Sequence, residues 1–508
     1  MIRIVKTENG TVKGIEAADP RITAFKGIPF AAPPVKENRW RAPQPCPDWE
    51  GTLEAYRFKP IGMQDTPGLG TDIYCREWHV DPDIEMSEDC LYLNVWTSAK
   101  SADEKQPVMV WYFGGGLQWG YPSEMEFDGE RIARRGVVVV TVNYRLNAFG
   151  FLAHPELSAS QPDAPTNFGH LDQKAGLDWV IRNIHAFGGD PNNITIAGQS
   201  AGGGSVLSLL TSPTCFGKFQ KAIVQSAMIN SPYKDVSIRH HIPLSEAERN
   251  GSNFFEYLGV KTLEEARALD AIYIRDMYSK YMQDRSRMMM TVRDDKFSVG
   301  NPLDLYMKNQ HAQVPIMSGN TPVEFLNAIV AESDEEFVEK AKDLFGEHSE
   351  EFLEFEEAWK KDGNRYGAFS GIECTVKSLF LQNQRNNKDQ KCYYYNFNPE
   401  IPGWDNPGSF HSVELWFTFE TLAKCWRPFT GKHYDLARQM CNYWCNFVKN
   451  GDPNGKDADG TDMPYWSPYT KETPYGMNFL TDGPVLDKTE DSEFKKFMIE
   501  RITEELLQ

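Results

Sequence analysis

The chain has 508 residues, 41% of them hydrophobic and 13% aromatic, enough for a large buried core and too many for a disordered tail or a small stapled scaffold. Its formal net charge of −19 repels phosphate backbones and anionic lipid heads, which argues against nucleic acid as a partner. The first twenty residues hold no apolar run of signal-peptide type and no later stretch approaches the roughly 20 apolar residues of a membrane span, so the expectation is a cytoplasmic protein without a membrane anchor.

Nine cysteines, an odd number without metal-like pairing, fit reduced thiols and no metal site. No repeat, low-complexity tract or Pro/Gly/Ser linker divides the sequence, which is read as one domain over 1–508.

In chain order, the first strong strand signal is "PVMVWYF" at 107–113, followed by "GVVVVTVNY" at 136–144. Both are nearly continuous apolar runs, as expected of strands covered on both faces. Between the first run and "LQWG" stand Gly114, Gly115 and Gly116, whose backbone N–H groups no side chain obstructs. Leu177, Val180, Ile181 and Ile184 then fall at i, i+3, i+4 and i+7, which predicts an amphipathic helix.

Further strands are expected at 193–197, 221–226, 314–319 and 391–397. Strand and helix taking turns indicates an α/β fold, a mostly parallel sheet covered by helices. Residues 242–313 carry helical patterns without intervening strands and are read as a helical, cap-like insertion.

The strand at 193–197 runs into Gly198-Gln199-Ser200-Ala201-Gly202, a Gly-x-Ser-x-Gly pattern between a strand and a helix. That context is a nucleophile elbow, in which a serine occupies a tight bend that only small neighbours permit. A serine needs a base, a carboxylate to orient the base, and donors for the oxyanion. The glycines at 114–116 supply donors. For the base, the late histidines are His348, His411 and His433; His411 lies in a Gly/Pro/Ser loop past the strand at 391–397, whereas the other two sit among charged and polar residues that suggest solvated surface. Glu324, just past the strand at 314–319, is one acid among many.

The blocks "FKGIPFAAPPV", "SEDCLYLNVW", "FGGG", "VVTVNYRLNAFGFL", "AFGGDPNNITIAGQSAGGGS", "FHSVELWF" and "NGDPNG", in that order, resemble the type B carboxylesterases, the group that includes cholinesterases and bacterial p-nitrobenzyl esterases. The resemblance implies the α/β-hydrolase fold and hydrolysis of neutral carboxylic esters, short aliphatic or aromatic, without a cofactor. Carried over residue by residue, it implies Ser200 as nucleophile, Glu324 as acid, His411 as base, and Gly115, Gly116 and Ala201 as oxyanion donors, with Gln199 and Ser226 behind them. The substrate pocket is then expected to be walled by Leu117, Gln118, Trp119, Met228, Ile229, Phe410 and Trp416.

Four departures from the family pattern stand out. Gln199 replaces the usual Glu beside the serine, and Val80 stands where choline-binding members carry Trp, although Trp78 is close; both argue against a choline ester. Cys90 would pair upstream, but the matching place holds Met63, and Cys75 is the remaining candidate partner; no disulfide is expected. The acid's neighbours also change, with Phe325 where the family has Gly. The alternatives are an esterase for aromatic acids, an amidase or acyltransferase with the same triad, and a non-catalytic binding module. A monomer or weak homo-oligomer is expected.

Overall fold

A computed structural model of the chain describes residues 1–233, 241–322 and 324–508. Its centre is an eleven-stranded sheet built from β1 (Ile15–Glu16), β2 (Thr23–Pro29), β3 (Tyr92–Thr97), β4 (Gln106–Tyr112), β5 (Val138–Val142), β6 (Gly189–Gln199), β7 (Lys221–Gln225), β8 (Ile316–Asn320), β9 (Cys392–Phe397), β10 (Gly476–Leu480) and β11 (Gly483–Asp487). The order across the sheet is β11-β10-β9-β8-β7-β6-β4-β5-β3-β2-β1. The run from β5 through β4, β6, β7, β8 and β9 to β10 is parallel, and both edges are antiparallel.

Strands β5, β7 and β8 are buried at every position, and β5 accordingly reads as a nearly continuous apolar run. Helices α1 (Phe168–Asn183) and α2 (Ala201–Thr211) follow β5 and β6. The loop after β5 is tied to α1 by a buried ion pair, Arg145 Nη2 to Asp172 Oδ1 at 2.7 Å. Because the chain crosses from one side of β4, at β5, to the other, at β6, the connections that leave the carboxyl ends of β4 and β6 run in opposite directions. Such a switch point opens the crevice in which ligands of α/β sheets bind.

The 242–313 segment holds α3 (Leu244–Leu258), α4 (Leu263–Ala268) and α5 (Ala271–Arg285), with a two-residue strand at either side, Ile242–Pro243 and Val292–Arg293, pairing across it. A second excursion, unannounced by the sequence patterns, runs from 326 to 370. There Leu326–Val330, Lys361–Asp362 and Arg365–Ser370 form a small antiparallel sheet closed by short helices. Helices α6 (Gly371–Asn386), α7 (Gly431–Asn450) and α8 (Glu493–Leu507) complete the layers. Among the described residues no helix is long and apolar enough to cross a membrane.

Candidate active site

The elbow is built by close backbone approach. A Cβ on Gly202 would lie 2.1 Å from the Tyr112 carbonyl oxygen at the end of β4, so α2 can leave the sheet at this angle only with glycine there. Ser200 itself sits at φ 55°, ψ −127°, outside the ordinary regions for an L residue, and its N–H donates to Gln225 O at 2.9 Å. The bend thus holds the serine between β6 and the first turn of α2. Ala201 is the first residue of that helix, so its N–H has no intrahelical acceptor.

The glycine loop after β4 meets the elbow from the other side of the switch point. Gly115 and Gly116 have φ of 107° and 64°, and a Cβ on Gly115 would lie 2.3 Å from the Trp119 carbonyl oxygen. The turn is fastened by Gln118 N and Trp119 N, both donating to Gly115 O at 3.0 Å. The Gln64 side chain adds a clamp, accepting from Gly120 N at 2.8 Å and donating to Gly120 O at 3.0 Å.

His411 and Glu324 come from loops past β9 and β8. Glu324 is buried, accepts at Oε1 from Thr321 N at 2.8 Å, and takes a short hydrogen bond from His411 Nδ1 at Oε2. With Nδ1 donating, Nε2 carries the lone pair. Burial pulls the His411 pKa down, but the Glu324 carboxylate and its hydrogen bond outweigh burial and the net shift is upward. Gln199 reaches the same imidazole. Ser412 Oγ donates to Gln199 Oε1 at 2.9 Å, which turns the amide nitrogen toward His411 Nε2, 3.4 Å away. Among the described residues no hydrogen bond joins Ser200 Oγ to the imidazole.

Behind the histidine lies a carboxyl group that sequence reasoning missed. Glu414 is fully buried, and burial together with the charge of Glu324 pushes its pKa up to about 8, far above the usual carboxylate range. Ser226, at φ 52°, donates its Oγ to Glu414 Oε1 at 3.3 Å.

These groups open into one cleft of about 530 Å³, lined among others by Gly115, Gly116, Trp119, Ser200 and His411. Of the remaining residues expected to wall it, Leu117 (φ 61°) and Gln118 are buried beneath the glycine loop; Gln118 donates to Met289 O and accepts from Tyr278 Oη, each at 2.9 Å. Met228 is buried in the core with Ile229 packed against it. Phe410 packs under the Arg427 guanidinium, and Trp416 is fully buried with Nε1 donating to Glu77. None of these six lines the cleft. Beside Trp119, its aromatic walls are Tyr74, Trp78, Phe127 and Phe325. Trp78, not the exposed Val80, faces the site, its ring 5.6 Å from that of Tyr74.

Asp65, Asp72, Glu124 and Glu126 add acidic groups to the cleft wall, and no Lys or Arg lines it among the described residues. Burial and the nearby Glu124 hold Glu126 well above the usual carboxylate range, whereas Glu124 accepts from His79 Nε2 at 3.0 Å.

Two other expectations are corrected or located here. His433 is not solvated surface: it is buried, capping α7 through Thr430 N and bonding Glu400 O at 2.8 Å. Met63 and Cys90 wall the same small cavity, while Cys75 lies at the cleft rim beside Asp72; all nine cysteines are free thiols.

Comparison with known proteins matches the carboxylesterase family over residues 2–367 and 368–497. The chain belongs to the carboxylesterase family. It is 31% identical over 479 residues to the fumonisin B1 esterase of Sphingopyxis macrogoltabida, covering 88% of this chain and 82% of that one. It is also 31% identical over 494 residues to the para-nitrobenzyl esterase of Bacillus subtilis (strain 168), covering 93% of each. A solved thermophilic PNB esterase superposes with a TM-score of 0.77 at 27% identity, covering 99% of this chain and all of that one. This carboxylesterase is accordingly a carboxylic ester hydrolase with the α/β-hydrolase fold.

Proposed function

We propose that the protein hydrolyses carboxylic esters through a Ser200-His411-Glu324 triad and an acyl-enzyme. The observation that carries this reading is the hydrogen bond from His411 Nδ1 to buried Glu324 in a cleft shared with Ser200 at its strained elbow. His411 Nε2 takes the proton from Ser200 as Oγ attacks the carbonyl carbon. The N–H groups of Gly115, Gly116 and Ala201 hold the oxyanion, and the imidazolium returns the proton to the leaving alcohol. Water then attacks the acyl-enzyme by the same route. Glu324 fixes the imidazole tautomer and stabilises its charge.

The substrates are neutral esters. A cleft with four acidic residues, no Lys or Arg among the described residues and several aromatic rings disfavours anionic acyl groups and accommodates apolar ones. The 242–313 excursion acts as part of the cap, joined to the oxyanion loop through Gln118, Tyr278 and Met289.

The test is kcat/KM over p-nitrophenyl esters from acetate to decanoate, methyl ferulate, a succinate hemiester and an anilide, with Ser200→Ala as control. Turnover of neutral esters that falls on the order of a million-fold in Ser200→Ala supports the reading. Serine-independent turnover, or preference for the anilide or the hemiester, contradicts it.

A further inference from the structure

Phe325 directly follows the acid Glu324, and three observations set it apart. Its backbone lies in the left-handed region at φ 48°, which a bulky residue adopts only under constraint and which glycine adopts freely. Its ring is apolar yet 38% exposed, so packing into the core does not account for it. The same ring lines the cleft and meets the His411 imidazole nearly perpendicular, at 85° and 4.9 Å between centroids. Folding alone favours glycine here; strained residues of this kind gather at functional sites.

The chemistry says which part of a substrate the ring meets. His411 returns its proton to the leaving oxygen, so that oxygen comes within hydrogen-bond reach of Nε2 and the alcohol skeleton beyond it passes beside the imidazole. Tyr74 and Trp78 line the same cleft, Tyr74 Oη donating to His411 O at 3.4 Å and Trp78 packing against Tyr74. We propose that Phe325 is a specificity-determining residue: with Tyr74 and Trp78 it forms a leaving-group subsite that takes a flat aryl group on the alcohol of the ester. Ring pairs gain from offset or edge-to-face contact beyond the area they bury, which a puckered ring of equal size does not offer. The inference rests on the serine-esterase reading above.

The experiment compares benzyl acetate with cyclohexylmethyl acetate, alcohols of similar size and leaving ability that differ in flatness, in the wild type and in Phe325→Gly, Phe325→Ala and Phe325→Tyr. The wild type is expected to prefer benzyl acetate. Phe325→Gly is expected to cut the kcat/KM ratio at least tenfold, mainly through a higher KM for benzyl acetate, and to melt above Phe325→Ala because glycine tolerates the positive φ. Phe325→Tyr keeps the preference. A second pair, ethyl phenylacetate and ethyl cyclohexylacetate, places the ring on the acyl side; its ratio should hold in Phe325→Gly.

A benzyl ratio unchanged within twofold, an equal loss on both acetates with a lowered melting point, or an effect confined to the acyl pair overturns the subsite and leaves the esterase reading standing. Absence of Ser200-dependent turnover of any of these esters overturns that reading, and the subsite with it.

Discussion

The two halves of the cleft are made in different ways. Its floor consists of strand ends: Ser200 after β6 and the glycine loop after β4, held by backbone contacts so close that a Cβ on Gly202 would meet a carbonyl oxygen at 2.1 Å. Its walls consist largely of side chains from residues 64–79 and 119–127 and of Phe325, segments with little regular structure that reach the site through single rings and carboxyl groups. The floor is specified locally, by small residues in fixed order. The walls are specified by where the rest of the fold places a loop. Chemistry resides in the first and selectivity in the second, so substitutions in the floor should abolish or unfold while those in the walls should redirect.

The sharpest way to break that division is Glu324→Gln, which keeps the shape of the acid and removes the charge that orients and stabilises the imidazole. We expect kcat to fall about ten-thousandfold with KM little changed, read from steady-state kinetics. If Glu324 were only part of a wall, KM would move instead.

Next is Gly202→Ala, for which the elbow has no room. It should cost about 3 kcal/mol or more in denaturant unfolding. A change below about 0.5 kcal/mol would show that the helix can shift and that the floor is softer than its contacts suggest.

Glu414 tests the layer beneath the floor. Its folded pKa of about 8 lies above the carboxylate's ordinary 4.5, so the proton it binds stabilises the fold fully below about pH 4.5 and that contribution is lost as the pH rises toward 8. The melting temperature of the wild type should therefore fall relative to that of Glu414→Gln across that window, and an inflection in kcat/KM near pH 8 should vanish in the variant. Parallel melting curves from pH 4.5 to 8 would contradict the burial argument.

The smallest expected effect is that of Gln199→Glu. A donor amide facing Nε2 favours neutral imidazole, whereas a carboxylate in its place favours imidazolium. Activity needs the neutral base and falls as the pH drops through the His411 pKa. The acidic limb of kcat/KM should therefore lie at higher pH in the variant. Coincident profiles would mean that Gln199 does not act on the base.

The same division explains how much could be read before the fold was known. Strands β4 and β5 were visible because burial on both faces leaves a nearly continuous apolar run, and Ser200 because the elbow demands glycine on either side of it. Glu324 was one carboxylate among many until the family resemblance singled it out, since nothing local marks an acid whose partner lies 87 residues away. The walls were least legible. Met228 and Trp416 stand near the site in sequence, but the direction of the chain turns both into the core. Tyr74 and Trp78 belong to a four-residue helical turn and its cap, too short for any periodicity to show which side faces inward. The 326–370 excursion, with strands of two to six residues, left equally little pattern.

The central claim is that Ser200, activated by His411, is the nucleophile. Incubation with a fluorophosphonate ester, followed by intact-mass measurement and peptide mapping, tests it without any choice of substrate. The account predicts one adduct per chain, on Ser200, formed together with complete loss of esterase activity and absent from His411→Ala. An adduct on another residue, or full activity after Ser200 is modified, would contradict it.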